Sequence, residues 1–508
     1  MSAVRTHPRL RIEFDGHGVA PELVRTIATI RVQQRLSLPT QCELVFLDPP
    51  DVDLAAIRPG ARLQVRVEGT GPGGHPPLFT GELTAREHVY GPERGRELRL
   101  RSYDLLHRLR KQQTVSAFSE ITISDLAEEL LRDVDLNLQA EESGPFFSQL
   151  IQHHQSDLEL LTTIAGQAGL YLTVRDGTLH MLPLSGIGEA TPLRLGRKLL
   201  EARVEVNVDP ACRSVEAAGW RTSHADSHSG RASRPRSGRD VRAEASPRDV
   251  GASGDHVLLD VPVSSAEQAE AFAQAELDRR IAREVVLWGV AEGDPRLRPG
   301  AKIDVTGLER ELEGRYVLTA VTHTIDNDLG YLTEFSTDPP PPPAATQGSL
   351  VALGIVTRVD DPDEQARVRV SLPTYGGIET DWMPVMCGGA GEDKGFIALP
   401  DVDDNVIVLC AQSNPARGIV LGGLYGTRGA PDSGVVDGAV RRYSIRTPGG
   451  QRVTLDDKRA RLRVENRSGS YVELGPGELR LHAATDLLIE APGKELVIQA
   501  ATIDFRSA

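Results

Sequence analysis

The chain has 508 residues, 40% hydrophobic and only 4% aromatic, with 49 glycines, 33 prolines and a formal net charge of −15. That length accommodates two to four domains, and the Gly and Pro content suits β-rich folds with many turns. The acidic balance argues against nucleic acid or an anionic membrane as partner, and no apolar run approaches the length of a membrane helix.

In chain order, the first residues, Met1-Ser2-Ala3-Val4-Arg5, lack the apolar core of a secretory signal. The four cysteines (Cys42, Cys212, Cys387, Cys410) are far apart and form no CxxC, which points to a reducing compartment, with Cys410 a buried free thiol. Residues 1–115 read as a β-barrel: Leu10, Ile12 and Phe14 alternate, as do Leu63, Val65 and Val67, and then Leu98 and Leu100. Residues 116–170 read as a helical connection. One helix is expected from Ser124, with Leu126, Leu130 and Leu131 on its apolar side. The next opens with the capping box Ser156-Asp157-Leu158-Glu159, buries Leu161, Ile164, Ala165 and Ala168, and stops at Gly169.

Residues 171–337 read as a second barrel. Strands are expected at 171–182, 202–208, 301–305 and 316–326. A helix capped by Ser265 and Gln268 should carry Ala269, Phe272, Leu277 and Ile281 on one face. Positions 221–256 have almost no apolar residues and are expected as a flexible insertion. Asp338 and the prolines at 339–343 open a linker, 338–349, expected as a semi-rigid spacer of about 3 Å per residue. Residues 350–426 carry short alternating strands and read as a closed OB-type barrel with Val368, Val370, Trp382, Val406 and Val408 in its core. Residues 427–450 read as a link.

Residues 451–508 hold apolar i, i+2 pairs: Val453/Leu455, Leu462/Val464, Val472/Leu474, Leu479/Leu481, Leu487/Ile489, Leu496/Ile498 and Ile503/Phe505. Each pair predicts one short strand showing two apolar side chains to one face. A lone chain has little to bury them against. Three chains wound round one axis, with every pair inward, would bury them all. The expectation is a homotrimeric triple-stranded β-helix or prism of seven layers, roughly 30 Å long at about 4.8 Å per layer.

Catalytic signatures are lacking: the sequence has no GxxxxGK[ST], HExxH or GxSxG, and the glycines at 71–74 read as a turn. His153-His154 with Asp157 reads as a loop before a helix whose first-turn Asp suits the dipole. His224 and His228 read as solvated, and Cys387 has no histidine partner. Asp360, Asp361 and Asp363 around Pro362 read as a turn rather than a calcium loop. The barrel offers Tyr375, Trp382, Phe396 and Tyr425, but no basic groove for a nucleic acid to follow. No catalytic, cofactor or metal site is expected, and the role is mechanical rather than enzymatic.

A specific pattern runs through Gly354, Asp361-Pro362, Arg367-Val368-Arg369-Val370, Leu372-Pro373, Trp382-Met383-Pro384-Val385, the glycines at 388–391, Leu399-Pro400 and Ile419-Val420-Leu421-Gly422-Gly423-Leu424-Tyr425. Upstream stand Tyr103-Asp104-Leu105-Leu106, Asp157-Leu158-Glu159-Leu160-Leu161, Gly169-Leu170-Tyr171, Asp176-Gly177-Thr178-Leu179 and Gly314-Arg315-Tyr316-Val317 with His323. With these, essentially the whole chain resembles the VgrG proteins, the hub-and-spike of contractile injection machines, related to the phage tail hub and needle. It departs at turns: Ala366 and Asp403 stand where that family usually has Gly, Ser413-Asn414-Pro415 where Gly-Asp-Pro is usual, and Gly418 where Pro is usual.

The resemblance implies two similar hub barrels per chain. Three chains would then seat a hexameric tube and baseplate proteins on a pseudo-sixfold ring above a threefold needle. It further implies a PAAR-repeat tip protein docked on Thr502, Ile503, Asp504, Phe505, Arg506, Ser507 and Ala508, cargo effectors as further partners, and sheath contraction as the source of force. Such a protein is made in the bacterial cytoplasm without a signal peptide. The short needle favours an extracellular contractile particle over a type VI secretion spike or a phage tail hub. An envelope-degrading enzyme would need paired carboxylates in a cleft, and a trimeric adhesin would need no two-part hub.

Overall fold

The computed structural model describes residues 9–50, 57–68, 76–91, 95–259, 261–343, 348–426 and 429–505. Met1-Ser2-Ala3-Val4-Arg5, the glycines at 71–74, and Arg506, Ser507 and Ala508 lie outside them. The chain is mainly β and divides into two units, one ending at Leu424 and the other beginning at Tyr425.

The first unit starts with β1 (Arg9–Phe14), β2 (His17–Gly18), β3 (Ile27–Arg35), β4 (Leu38–Leu47), β5 (Arg62–Glu68), β6 (Phe79–Gly91) and β7 (Gly95–Tyr103). Alternation drives them: Leu63, Val65 and Val67 of β5 are buried between half-buried or exposed neighbours. After β8 (Ser116–Thr122) come α1 (Ile123–Leu130), β9 (Phe146–Gln152) and α2 (Asp157–Gln167). α1 begins one residue before Ser124, because Thr122 and Asp125 form its capping box. On α2, Ser156 N–H donates to Glu159 at 2.8 Å and Glu159 N–H donates back to Ser156 Oγ at 3.3 Å.

Farther on lie β10 (Leu199–Val206), β11 (Ser214–Arg221), β12 (Asp226–Ala232), β13 (Asp255–Leu258), α3 (Ala266–Glu284), β14 (Val285–Glu292), β15 (Ala320–Asp326) and β16 (Gly330–Ser336). The two hub regions are not separate barrels. One eleven-stranded sheet runs β10-β14-β16-β15-β3-β4-β7-β6-β5-β1-β2 through both. Its seam is the antiparallel pair β15–β3, in register from Ala320 opposite Arg35 to Asp326 opposite Thr29. The pairing hides two edges that independent barrels would have to protect, and it carries Ile325 and Tyr331 into the core of the N-terminal strands.

The expected flexible insertion at 221–256 is ordered instead. β11 pairs with β12 from Val215–Ala232 to Arg221–Asp226, and with β13 in parallel. Ladder hydrogen bonds need no apolar side chains, and α3 covers the sheet: Val215, Ala217 and Ala232 pack with Ala269, Phe272, Ala273, Leu277 and Ile281. Gly230 is required for the close approach, since a Cβ there would lie 2.2 Å from the Glu270 nitrogen. The start of the proline run is likewise no free spacer. Pro339 is buried, Thr319 Oγ1 donates to the Asp338 carbonyl at 2.6 Å, and Pro343 lies against Gly166 of α2.

The last part of this unit comprises β17 (Leu350–Arg358), β18 (Arg367–Leu372), β19 (Ile378–Glu379), β20 (Met383–Pro384), β21 (Asn405–Cys410) and β22 (Gly418–Leu424). The order is β19-β18-β17-β21-β22, β20 also pairs β18, and a bridge from Val385 to Val420 closes the sheet into a barrel. Turn positions that depart from the resembled pattern keep left-handed backbone: φ is 58° at Ala366, 69° at Asp403 and 55° at Ser413.

The second unit is a meander of β23 (Arg442–Arg446), β24 (Arg452–Asp456), β25 (Arg461–Glu465), β26 (Tyr471–Leu474) and β27 (Leu479–His482). It begins before the expected Val453, inside the stretch read as a link. Among the described residues, no strand follows His482, so Leu487/Ile489, Leu496/Ile498 and Ile503/Phe505 are not in strands here. A strand exists only by pairing, and within one chain these segments have no ladder partner.

Candidate functional site

The apolar pairs line up. The antiparallel registers stack Tyr443, Leu455, Leu462, Leu474 and Leu479 in one column and Ile445, Val453, Val464, Val472 and Leu481 in a second. Both columns lie on one face. Val453 and Leu462 are half-buried, and the other eight side chains are 38–68% exposed. Covering such a side chain is worth about 1.5–3 kcal/mol. A cleft of about 390 Å³ runs beside the second column, lined in part by Val453, Val464, Val472, Leu481 and Leu487. Tyr443 and Ile445 were missed by sequence reasoning. Their signal was an apolar alternation across Ser444, identical in form to the pairs that follow.

The opposite face carries charge in alternation. Arg442 and Arg452 share Asp432, at 2.6 and 3.4 Å. Arg452 also reaches Glu465 at 3.8 Å, Arg463 bridges Glu465 at 2.6 Å and Glu473 at 3.1 Å, and Arg461 joins Glu473 at 3.1 Å. The Arg442 guanidinium holds the Asp432 carboxyl well below the usual carboxylate range. Arg463 lies 3.8 Å over the Tyr471 ring, which stacks on His482 at 4.9 Å. One face is thus built for apolar cover and the other for water.

Beyond His482, Leu487, Ile489, Leu496, Ile498 and Ile503 are 48–62% exposed and Phe505 is 88% exposed. Thr502 and Asp504 beside them are exposed too.

In the barrel, Val368, Val370, Val406 and Val408 are fully buried within one apolar cluster. Trp382 is buried outside that cluster, its ring under the guanidinium groups of Arg369 (5.2 Å) and Arg358 (5.5 Å). The turn at 360–363 wraps Arg367, whose side chain is buried. Asp361 accepts from its Nε and Nη2 at 2.9 and 2.6 Å, and Asp363 accepts from Nη2 at 2.6 Å. Strand alternation hides this role, because Arg367 and Val368 are adjacent yet both buried.

The other candidate side chains do not converge on a reaction centre. Asp157 accepts from Gln152 at 2.7 Å, while His153 and His154 pack around Tyr375, 5.6 and 6.5 Å from its ring. His228 lies 3.6 Å from Asp226, and Cys387 is a half-buried free thiol. Among the described residues, no group of three or more His, Cys, Asp or Glu side chains is placed to hold a metal, and no helix is long and apolar enough to cross a membrane.

Residues 33–329, more than half of the chain, match the family model of the phage tail baseplate hub. The chain belongs to the phage tail baseplate hub family. In this hub protein, residues 352–425 match a second model, the type VI secretion system/phage-baseplate injector OB domain, and these residues are the closed barrel described above. The hub shares its fold with an E. coli component of the type VI secretion system described as similar to T4 bacteriophage tail proteins gp27 and gp5. That match has a TM-score of 0.52 at 15% identity and covers 82% of this chain and all of that one. A chain of the lidless PdpA–VgrG complex superposes with a TM-score of 0.56 at 9% identity, over 95% of the hub and all of that chain. The lidded Francisella complex gives 0.55 at 9% identity, over 93% and 80%. In sequence, the hub is 26% identical over 188 residues to the actin cross-linking toxin VgrG1 of Vibrio cholerae serotype O1; the match spans 32% of the hub and only 17% of that toxin's length. The hub thus carries a baseplate-hub region followed by an injector OB domain, and its fold is like that of the VgrG-containing complexes.

Proposed function

We propose that three copies of the hub wind residues 442–505 into one needle, with both apolar columns on the threefold axis and the ion-pair face outward. The carrying observation is the pair of columns, exposed along one face of every strand from β23 to β27. The strandless segments with Leu487/Ile489, Leu496/Ile498 and Ile503/Phe505 then gain partners from neighbouring copies, and the cleft beside the second column is filled.

Upstream in sequence, two similar hub halves per chain give six in the trimer, which matches a hexameric tube to a threefold spike. Thr502, Ile503, Asp504, Phe505, Arg506, Ser507 and Ala508 form the docking end for a PAAR-repeat tip protein. The assembly is built in the bacterial cytoplasm, and sheath contraction drives it through a target envelope. Its role is mechanical, in an extracellular contractile particle. The type VI spike is the second reading, favoured by the fold likeness to the E. coli component. Sedimentation equilibrium of the full chain should return three copies, and a stable monomer overturns the needle. Deleting 502–508 should abolish tip capture while leaving the trimer intact. Undiminished capture overturns the docking end.

A further inference from the structure

We infer that the N-terminal hub region, the part of the chain before the proline linker, is held to the barrel of β17–β22 by a three-point clasp of side chains, so that force passes between them through the clasp and not through the proline linker. The first point is Gln149 of β9. Its Nε2 donates to the Glu379 carbonyl at 3.1 Å and its Oε1 accepts from Asp381 N–H at 2.9 Å. One carboxamide thus does for the end of β19 what the peptide of a neighbouring strand would do.

The second point is Tyr375, 9% exposed, in the turn between β18 and β19. The rings of His153 and His154, from the loop before α2, meet it edge-on at 5.6 and 6.5 Å.

The third point is the turn Thr222–His224 between β11 and β12, within the segment whose composition suggested mobility. Arg417 of the barrel donates to the Trp220 carbonyl, and Arg367 Nη1 lies 3.5 Å from His224 Nε2. Arg367 is itself locked by Asp361 and Asp363.

The three points come from two stretches of the hub, 149–154 and 220–224, and meet the barrel at 375–381, at Arg417 and at Arg367. By contrast, the covalent connection is one strand of chain, and Asp338, Pro339 and Pro343 at its start already lie on the hub. A single covalent connection holds two bodies at one place, whereas contacts at several points also resist bending and compression. The assignment of force rests on the spike reading; the clasp itself does not.

The test uses the full chain with a protease site introduced at positions 344–347. After cleavage, the two fragments should co-elute in size-exclusion chromatography. Gln149→Glu, which removes the Nε2 donor and sets a carboxylate against the Glu379 carbonyl, should weaken their association at least tenfold, and Gln149→Glu with Tyr375→Ala should separate them. Wild-type fragments that part on cleavage overturn the clasp, as do doubly substituted fragments that stay together as firmly as wild type. In the uncleaved protein, Gln149→Ala should speed hydrogen exchange at the Asp381 amide. Unchanged exchange overturns the Gln149 contact even if the double variant fails to fold. A monomer in sedimentation would sink the needle reading and leave this experiment intact.

Discussion

Leu455 and Leu462 stand directly opposite each other across β24 and β25, on the face of the ladder that a single chain leaves uncovered. Their neighbours Asp456 and Arg461 stand opposite each other on the other face of the same strands. A step of one residue therefore separates the surface that needs company from the one that does not, and substitutions one position apart should behave in opposite ways.

Leu462→Asp places a carboxylate beside the axis in each of three copies, and an unpaired buried charge costs several kcal/mol. Sedimentation equilibrium should read three copies for wild type and one for this variant. Arg463→Gln, on the ion-pair face, should leave the mass unchanged and cost no more than about 1 kcal/mol in chemical denaturation. A trimeric Leu462→Asp variant would remove the columns from the interface.

Removing the Arg367 guanidinium leaves Asp361, whose side chain is only 3% exposed, without its cation. Arg367→Ala should destabilise the barrel by about 3 kcal/mol. The Asp361 carboxyl is held far below the usual range, chiefly by its hydrogen bonds from Arg367. A depressed carboxylate contributes stability above its unfolded value of about 3.9 and loses it as pH falls through the lower folded value. Wild type should therefore lose this contribution below about pH 3.9, while Arg367→Ala should have lost most of it at neutral pH, as read by denaturation at both pH values.

His323 is buried among Thr333 Oγ1 (3.0 Å), the Leu297 carbonyl (3.0 Å) and Tyr331 OH (3.1 Å), and burial pushes its pKa down to about 3. The folded state keeps it neutral where the unfolded chain, with a value near 6.5, takes a proton. Its contribution is complete above about pH 6.5 and falls by about 1.4 kcal/mol per unit as pH drops toward 3. Asp104, raised by burial to about 6, works in the opposite direction between about 6 and 3.9. Thermal unfolding of His323→Gln beside wild type from pH 7 to 4.5 separates the two, and the variant should lose stability less steeply. Parallel curves would mean that His323 does not titrate on unfolding.

Ala366 holds φ at 58°, a conformation that costs a residue with a Cβ about 1 kcal/mol or more and glycine almost nothing. Ala366→Gly should raise barrel stability by about 1 kcal/mol in denaturant titration. An unchanged or lower midpoint would show that the turn relaxes to fit alanine.

Much of the architecture is written in local sequence. Alternation locates β1, β5 and the barrel strands, the pair Ser156 and Glu159 marks the start of α2, and the i, i+2 apolar pairs locate the ladder from Val453 to Leu481. Each signal lies within a few residues, because side-chain period and capping chemistry are properties of a short stretch of chain. Tertiary structure decided the rest. It joined Ala320 to Arg35, so that two apparent barrels share a sheet. It ordered a polar segment by laying α3 over Val215 and Ala232. It buried Arg367 beside Val368 by supplying Asp361, and it left the pairs after His482 without strands. In each case the deciding factor is a backbone pairing, its absence, or a partner outside the strand itself. Backbone hydrogen bonds carry no side-chain signature, so the sequence holds the strands while only the folded chain holds their neighbours.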